Sequence, residues 1–166
     1  MAVVLPVPLA TASRNLDKRQ LLAALRGVRR GDFSVRLPND FSGTDGDVAE
    51  AFNGLVELNQ RLSKEFERIT VVVGRDGRIG QRASIGEAAG SWAGYINSMN
   101  LVISDLTQPT AEINRVLGAV AKGDLSQRVA DDIDGRPLKG EFLRSSKTVN
   151  TMVDQLNSFA SEVTRV

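Results

Sequence analysis

The 166-residue sequence contains no cysteine and no histidine. Without thiols it can form neither disulfides nor thiolate metal sites, and without imidazole it lacks the commonest general base, metal ligand and phospho-acceptor. Most enzyme chemistries are therefore hard to assemble, and no catalytic residue, metal or cofactor is expected. An excess of charge of one sign is missing too: 21 basic and 20 acidic residues leave a net charge of +1. Such a balance offers no electrostatic footprint for nucleic acid or for an anionic membrane. The apolar stretch Met1–Ala12 is too short to span a bilayer, contains Pro6 and Pro8, and lacks the basic start of a signal peptide. Residues 1–13 read as a flexible arm of a cytoplasmic protein.

What the sequence does contain is a repeat. Gly31-Asp32-Phe33-Ser34-Val35-Arg36-Leu37 follows the pattern Gly-x-apolar-x-x-Arg-apolar, and it returns as Gly77-Arg78-Ile79-Gly80-Gln81-Arg82-Ala83 and as Gly123-Asp124-Leu125-Ser126-Gln127-Arg128-Val129. The constant spacing between the glycines argues for three small units, each holding one supersecondary element. Units of that size bury little surface and need neighbours or a second chain.

Around each motif the apolar residues keep helical spacing. From about Arg14 to Arg30, Leu21, Leu25 and Val28 recur at steps of four and three, an amphipathic helix that stops at Gly31. A connector rich in Gly, Pro, Asn, Asp and Ser follows, and Asp47 with Glu50 can cap the next helix. That helix carries Val48, Phe52, Leu55, Asn59, Leu62, Phe66, Ile69 and Val73 at a period of 3.5, the seam of a coiled coil. Leu55, Leu58 and Leu62 offer a competing seam.

Gly74–Gly80 stops that helix in turn, and Ser84 with Glu87 can cap the helix after it. The rhythm resumes through Trp92, Tyr95, Met99, Val102, Leu106, Pro109, Ile113, Val116 and Val120, where Pro109 should kink or break the helix. After a loop from Gly123 to about Gly140, Phe142, Ser145, Val149, Met152, Leu156, Phe159, Val163 and Val166 complete the series. The last helix runs off the end without a cap, as in a sequence cut from something longer.

Connector length bears on topology. Antiparallel helix hairpins close with few residues, whereas an extended connector of about 14 residues reaches roughly 46 Å, enough to run back along a helix of about 24 Å. The two helices of each unit should then be parallel. Two such helices cannot enclose a core alone, so the expected fold is all-α: parallel homodimeric four-helix coiled-coil bundles, three units stacked end to end and sharing junction helices. The bounds are 14–60, 61–106 and 107–166.

Two parallel helices around a connector with a Gly-x-apolar-x-x-x-apolar core resemble the HAMP domain, the signal-relay module of sensor proteins. The matching second helices share apolar-Asn-x-apolar, as Phe52-Asn53-Gly54-Leu55, Ile96-Asn97-Ser98-Met99 and Val149-Asn150-Thr151-Met152. The segment Thr148–Val166 is similar to the HAMP arrays of hybrid sensor histidine kinases of the fungal osmosensing type. The middle unit, with Gly74, Gly77, Gly80, Gly90, Trp92 and Asn97, is similar to the divergent type in such arrays. Small Ala83 and the helical Pro109 depart from the pattern.

The resemblance implies a cytoplasmic relay between a sensor and an output domain absent from this chain. Its partners would be a second copy of itself and the downstream kinase or output domain of the same polypeptide, with no nucleic acid and no small-molecule ligand. A segment of a soluble methyl-accepting chemoreceptor and a passive dimeric spacer are the alternatives. Connector packing falls to Gly31, Phe33, Leu37, Gly77, Ile79, Ala83, Gly123, Leu125 and Val129. The bundle core falls to Phe52, Leu55, Leu62, Phe66, Ile69, Met99, Leu106, Val149, Met152 and Leu156. Signal-relay candidates are Glu50, Asn53, Asn97, Pro109, Glu141 and Asn150; the asparagines adjoin the seam, where they either bond to the connector or form a solvated flank.

Sharper readings give way to plainer ones. Val71–Gly80 lacks the Gly-x-Gly-x-x-Gly spacing of a nucleotide loop. Arg36, Arg82 and Arg128 should pair with an acid or a helix terminus inside the bundle rather than bind a ligand. Trp92 and Tyr95 should be core or connector-packing residues.

Overall fold

The computed structural model describes residues 15–165, so the N-terminal arm and the terminal Val166 lie outside the described residues. The elements are α1 (Lys18–Arg29), α2 (Thr44–Ile69), a π-helical turn (Thr70–Arg75), α3 (Gly90–Val120), strands β1 (Asp132–Ile133) and β2 (Arg136–Pro137), and α4 (Gly140–Thr164). No helix among the described residues is long and apolar enough to cross a membrane. The chain divides into two compact units. One ends at Val71 and also includes Ser84–Glu87; the other comprises Val72–Ala83 and the chain from Ala88 onward.

In the first unit, Asp17 caps α1 by accepting the Arg19 N–H. The helix closes in a Schellman motif: the Gly31 N–H bonds to the Val28 carbonyl and the Asp32 N–H to the Gly27 carbonyl. Gly31 adopts φ +86°, a left-handed conformation that costs a side-chain-bearing residue more than glycine. The connector then turns back along α2. Its Leu37 faces Asn53 and its Arg36 faces Gln60, while the start of α1 meets the start of α2 where the Leu16 N–H donates to the Asp45 carboxylate at 2.8 Å. With their starts together and an extended return between them, α1 and α2 run parallel. The core is made of Ala24, Leu37, Phe41, Ala49, Phe52 and Val56, with Phe33 and Val35 packed against it. Gly27 is required there, because a Cβ at that position would lie 2.9 Å from Val35 Cγ2.

The second unit repeats the scheme between α3 and α4. Gly123, at φ +85°, closes α3 with the same pair of bonds, Gly123 to Val120 and Asp124 to Ala119. Val116, Val129, Leu138 and Val153 form the buried core. Burying a valine side chain is worth about 1.5–3 kcal/mol. Here the connector contains a β-hairpin, so the architecture is mostly helical rather than all-α. Asp134 and Gly135, at φ +52° and +74°, form its two-residue turn, the backbone a twisted two-residue hairpin favours.

Several local expectations are corrected. Pro109 does not break α3, which runs unbroken from Gly90 to Val120 with the proline ring buried. A proline forfeits one backbone donor, and packing of the ring offsets that loss. Asp47 and Glu50 do not cap α2: it starts at Thr44 after Gly43, with no side-chain cap. Ser84 and Glu87 do not cap α3, whose N-cap is Ala89; the Ser84 hydroxyl instead accepts the Gly86 N–H at 3.3 Å.

The intended bundle core is only partly enclosed in one chain. Phe52 and Ile69 are buried, and Leu62, Met99, Val149 and Met152 are half-buried. Leu55 and Phe66 are each 46% exposed, Leu106 54% and Leu156 39%. Val56 and Val153, the residues following Leu55 and Met152, are fully buried beside that seam, and Val116 is fully buried on it.

Candidate functional site

The repeated element is a clamp that holds each connector to the helix that follows it. In the first, Asn53 Oδ1 accepts the Leu37 N–H at 2.8 Å while its Nδ2 donates to the Leu37 carbonyl at 2.9 Å. A side-chain amide can do both at once, as a neighbouring β-strand would. Asn150 treats Val129 identically, at 2.8 and 2.9 Å. In the second connector Asn100 bonds Ala83, at 2.7 and 3.0 Å. The residue in that role is therefore Asn100 rather than Asn97, which is exposed. Asn97 and Asn100 are separated by less than one helical turn and both sit in an apolar-Asn-x-apolar frame, so spacing alone could not separate them.

The arginines lock the connectors from within. Arg36 Nη1 donates to the carbonyls of Phe33 and Val35 at 2.9 and 2.7 Å. Arg82 does so to Ile79 and Gln81, and Arg128 to Leu125 and Gln127. The other end of each guanidinium reaches the following helix, at Gln60, Ser104 and Asp154 respectively. Arg128 thus meets the expected acid, Asp154, and all three guanidiniums also bond carbonyls of their own connector. The planar fork of arginine suits this double duty.

The apolar anchors differ in depth. Leu37, Ala83 and Val129 are buried beside the clamping asparagines. Phe33 and Leu125 are half-buried, and Ile79 is 42% exposed, so Ile79 does not pack as expected. The local cause is visible in the turn. Asp32 Oδ1 accepts both the N–H and the hydroxyl of Ser34, at 3.0 and 2.6 Å, and Asp124 does the same with Ser126. These bonds from the serine hydroxyls and amides hold both carboxyls below their usual pKa. The second connector has Arg78 and Gly80 at these places and cannot form the turn. Phe41, Ile85 and Leu138 are deeply buried connector residues that the seven-residue motif does not include.

The third connector has an additional strap. Its clamp spans 21 residues against 16 in the first, and the hairpin accommodates the extra length. Arg136 bonds Asp105 and Gln108, and Gln108 donates to Asp134, tying the hairpin to α3 around Pro109. Glu112 binds Arg115 through two bonds of 2.9 and 2.7 Å, and Arg115 reaches the Gln127 side chain and the Arg128 carbonyl. Likewise Glu65 binds Arg68 at 2.8 and 2.7 Å and accepts the Ser84 N–H at 2.7 Å. Bonding to the guanidinium holds both glutamates below their ordinary pKa against the opposing effect of burial.

Other candidates have plainer surroundings. Glu50 is exposed, and Glu141 pairs with Arg144 at 3.0 Å on the surface of α4. Asn59 donates to the Leu55 carbonyl of its own helix. Trp92 and Tyr95 meet edge to face with ring centres 6.0 Å apart. None of the described Asp and Glu groups forms a cluster able to hold a metal ion. No solved structure matches the chain. Residues 87–158, which take in α3, its connector and α4 as far as Ser158, match the family model of the HAMP domain, a signal-relay module of signalling proteins.

Proposed function

We propose that the chain as a whole is a relay of three HAMP units, 14–60, 61–106 and 107–166, acting as a parallel homodimer that passes conformational change to an output domain of a sensor histidine kinase. The observation that carries this reading is the recurrence of one clamp, Arg36-Leu37 on Asn53, Arg82-Ala83 on Asn100 and Arg128-Val129 on Asn150, the first lying wholly and the second partly outside the residues that the family match reaches. A second chain supplies what one chain lacks. Leu25, Leu55, Phe66, Leu106 and Phe159 are large, exposed and spaced along helix faces, and their burial between two copies would provide the missing core. Each unit then has two packings of similar free energy, and the connector biases which of them prevails.

The experiment is the solution mass of the purified chain, alone and with Leu55→Glu. About twice 17.9 kDa for the parent and 17.9 kDa for the variant is the expected pair of results. A monomeric parent chain overturns the architecture. In the intact sensor protein, Phe33→Ala or Leu125→Ala should alter kinase output while a folded dimer persists; unchanged output in both removes the relay role.

A further inference from the structure

The helices leading into the second and third connectors carry the same residues one place out of step. Glu112, Arg115 and Val116 precede Gly123 by eleven, eight and seven residues, whereas Glu65, Arg68 and Ile69 precede Gly77 by twelve, nine and eight. The correspondence is structural. Both Glu-Arg pairs are two-bond pairs that reach the following connector, and both Val116 and Ile69 are buried. In the first connector, buried Ala24 precedes Gly31 by seven, in agreement with the third. The second approach therefore contains one residue more than the other two.

The backbone shows where that residue sits. Thr70–Arg75 is π-helical, and the turn closes from the Arg78 N–H to the Val72 carbonyl across six residues. The first and third close across five, Asp32 to Gly27 and Asp124 to Ala119. An extra residue in an α-helix rotates everything beyond it by about 100°. A π-turn takes in that residue without the rotation, at the cost of poorer hydrogen-bond geometry. The division between the two compact units falls inside this turn, between Val71 and Val72.

We propose that Thr70–Arg75 is a register switch built into the helix, with a π form and an α form of similar free energy. In the π form the Glu65–Arg68 pair, buried Ile69 and the stop at Gly77 are all satisfied together. In the α form the residues beyond Val71 are turned by about 100° and the Arg78-to-Val72 closure is lost. The helices ending at Gly31 and Gly123 have no residue to spare and hold one form only. An input favouring either form sets the phase of the chain downstream. The proposal rests on local geometry and is independent of dimerisation.

Two measurements on the full chain test it. Amide hydrogen exchange should be about ten-fold faster at Val72–Arg78 than at Leu117–Asp124, since a two-form turn opens more often than a one-form helix end; equal protection overturns the switch. Deletion of Val71 should preserve helical circular dichroism, raise the melting temperature by about 2–4 °C, and slow exchange in the segment to the rate at Leu117–Asp124. Deletion of Leu117, from a helix without a spare residue, should lower the melting temperature. If deleting Val71 lowers it as well, the turn carries no surplus residue and the proposal fails.

Discussion

Asn53 holds Leu37 by both its backbone N–H and its backbone carbonyl, 16 positions back along the chain. Because an extended connector has no strand beside it, the asparagine amide supplies the hydrogen-bond partners that a sheet would otherwise provide. The side chain of Leu37 is thereby fixed in the core it completes, and the same relation joins Val129 to Asn150.

Removing such a clamp leaves a partly buried N–H and carbonyl without partners, a loss of about 1–3 kcal/mol. Asn100→Ala should therefore lower stability by that amount in urea titrations, and Asn97→Ala should stay within about 0.5 kcal/mol of the parent, as an exposed surface position does. Reversed effects would mean that the middle connector is clamped in the other register.

The pH response follows from Glu65 and Glu112, whose folded pKa values are lowered first by their arginine partners. A lowered folded pKa contributes stability that is complete above the unfolded value of 4.5 and is lost as the pH falls through the folded value. Stability should thus decline below pH 4.5, and the decline should be shallower in the double variant Glu65→Gln, Glu112→Gln. Melting temperatures between pH 3 and 7 provide the check; an unaltered slope in the variant would show that other carboxylates carry the acid sensitivity.

Ser146 is fully buried in α4 and its hydroxyl has no hydrogen-bond partner among the described residues. It stands four residues before Asn150, where Ala49 stands before Asn53. Ser146→Ala should raise stability by about 1–3 kcal/mol, the cost of an unsatisfied buried hydroxyl, measured by urea unfolding. A loss of stability instead would mean that the hydroxyl has a partner in the assembled protein.

Much of the path of the chain was legible because it depends on local rules. Gly31 and Gly123 end their helices as glycine in a left-handed conformation, and the long connectors return as their reach requires. The hairpin at Asp134-Gly135 carries a local signal as well, an Asp-Gly turn, though the flanking strands are two residues each and show no alternating pattern. The partners of Arg36, Arg82 and Arg128 were not legible, since carbonyls are everywhere along a chain and only folding brings particular ones within reach. The π-turn was hidden for a related reason: the spacing between the glycines stays constant because the clamp after Gly77, Ala83 to Asn100, spans 17 residues against 16 from Leu37 to Asn53, which conceals the residue added before Gly77.

The sequence alone determined which segments are helical, that Gly31 and Gly123 end two of them, which faces are apolar and that three connectors share one pattern, because these follow from side-chain chemistry and backbone preference over a few residues. Tertiary structure decided which asparagine clamps the middle connector, that Val56 and Val153 rather than Leu55 and Met152 are the fully buried positions, and that Pro109 is packed within an unbroken helix. The first two depend on the rotation of a helix about its axis by one residue step or less, about 100°, which is fixed only when the connector is laid against it; the third depends on the packing that the ring finds there.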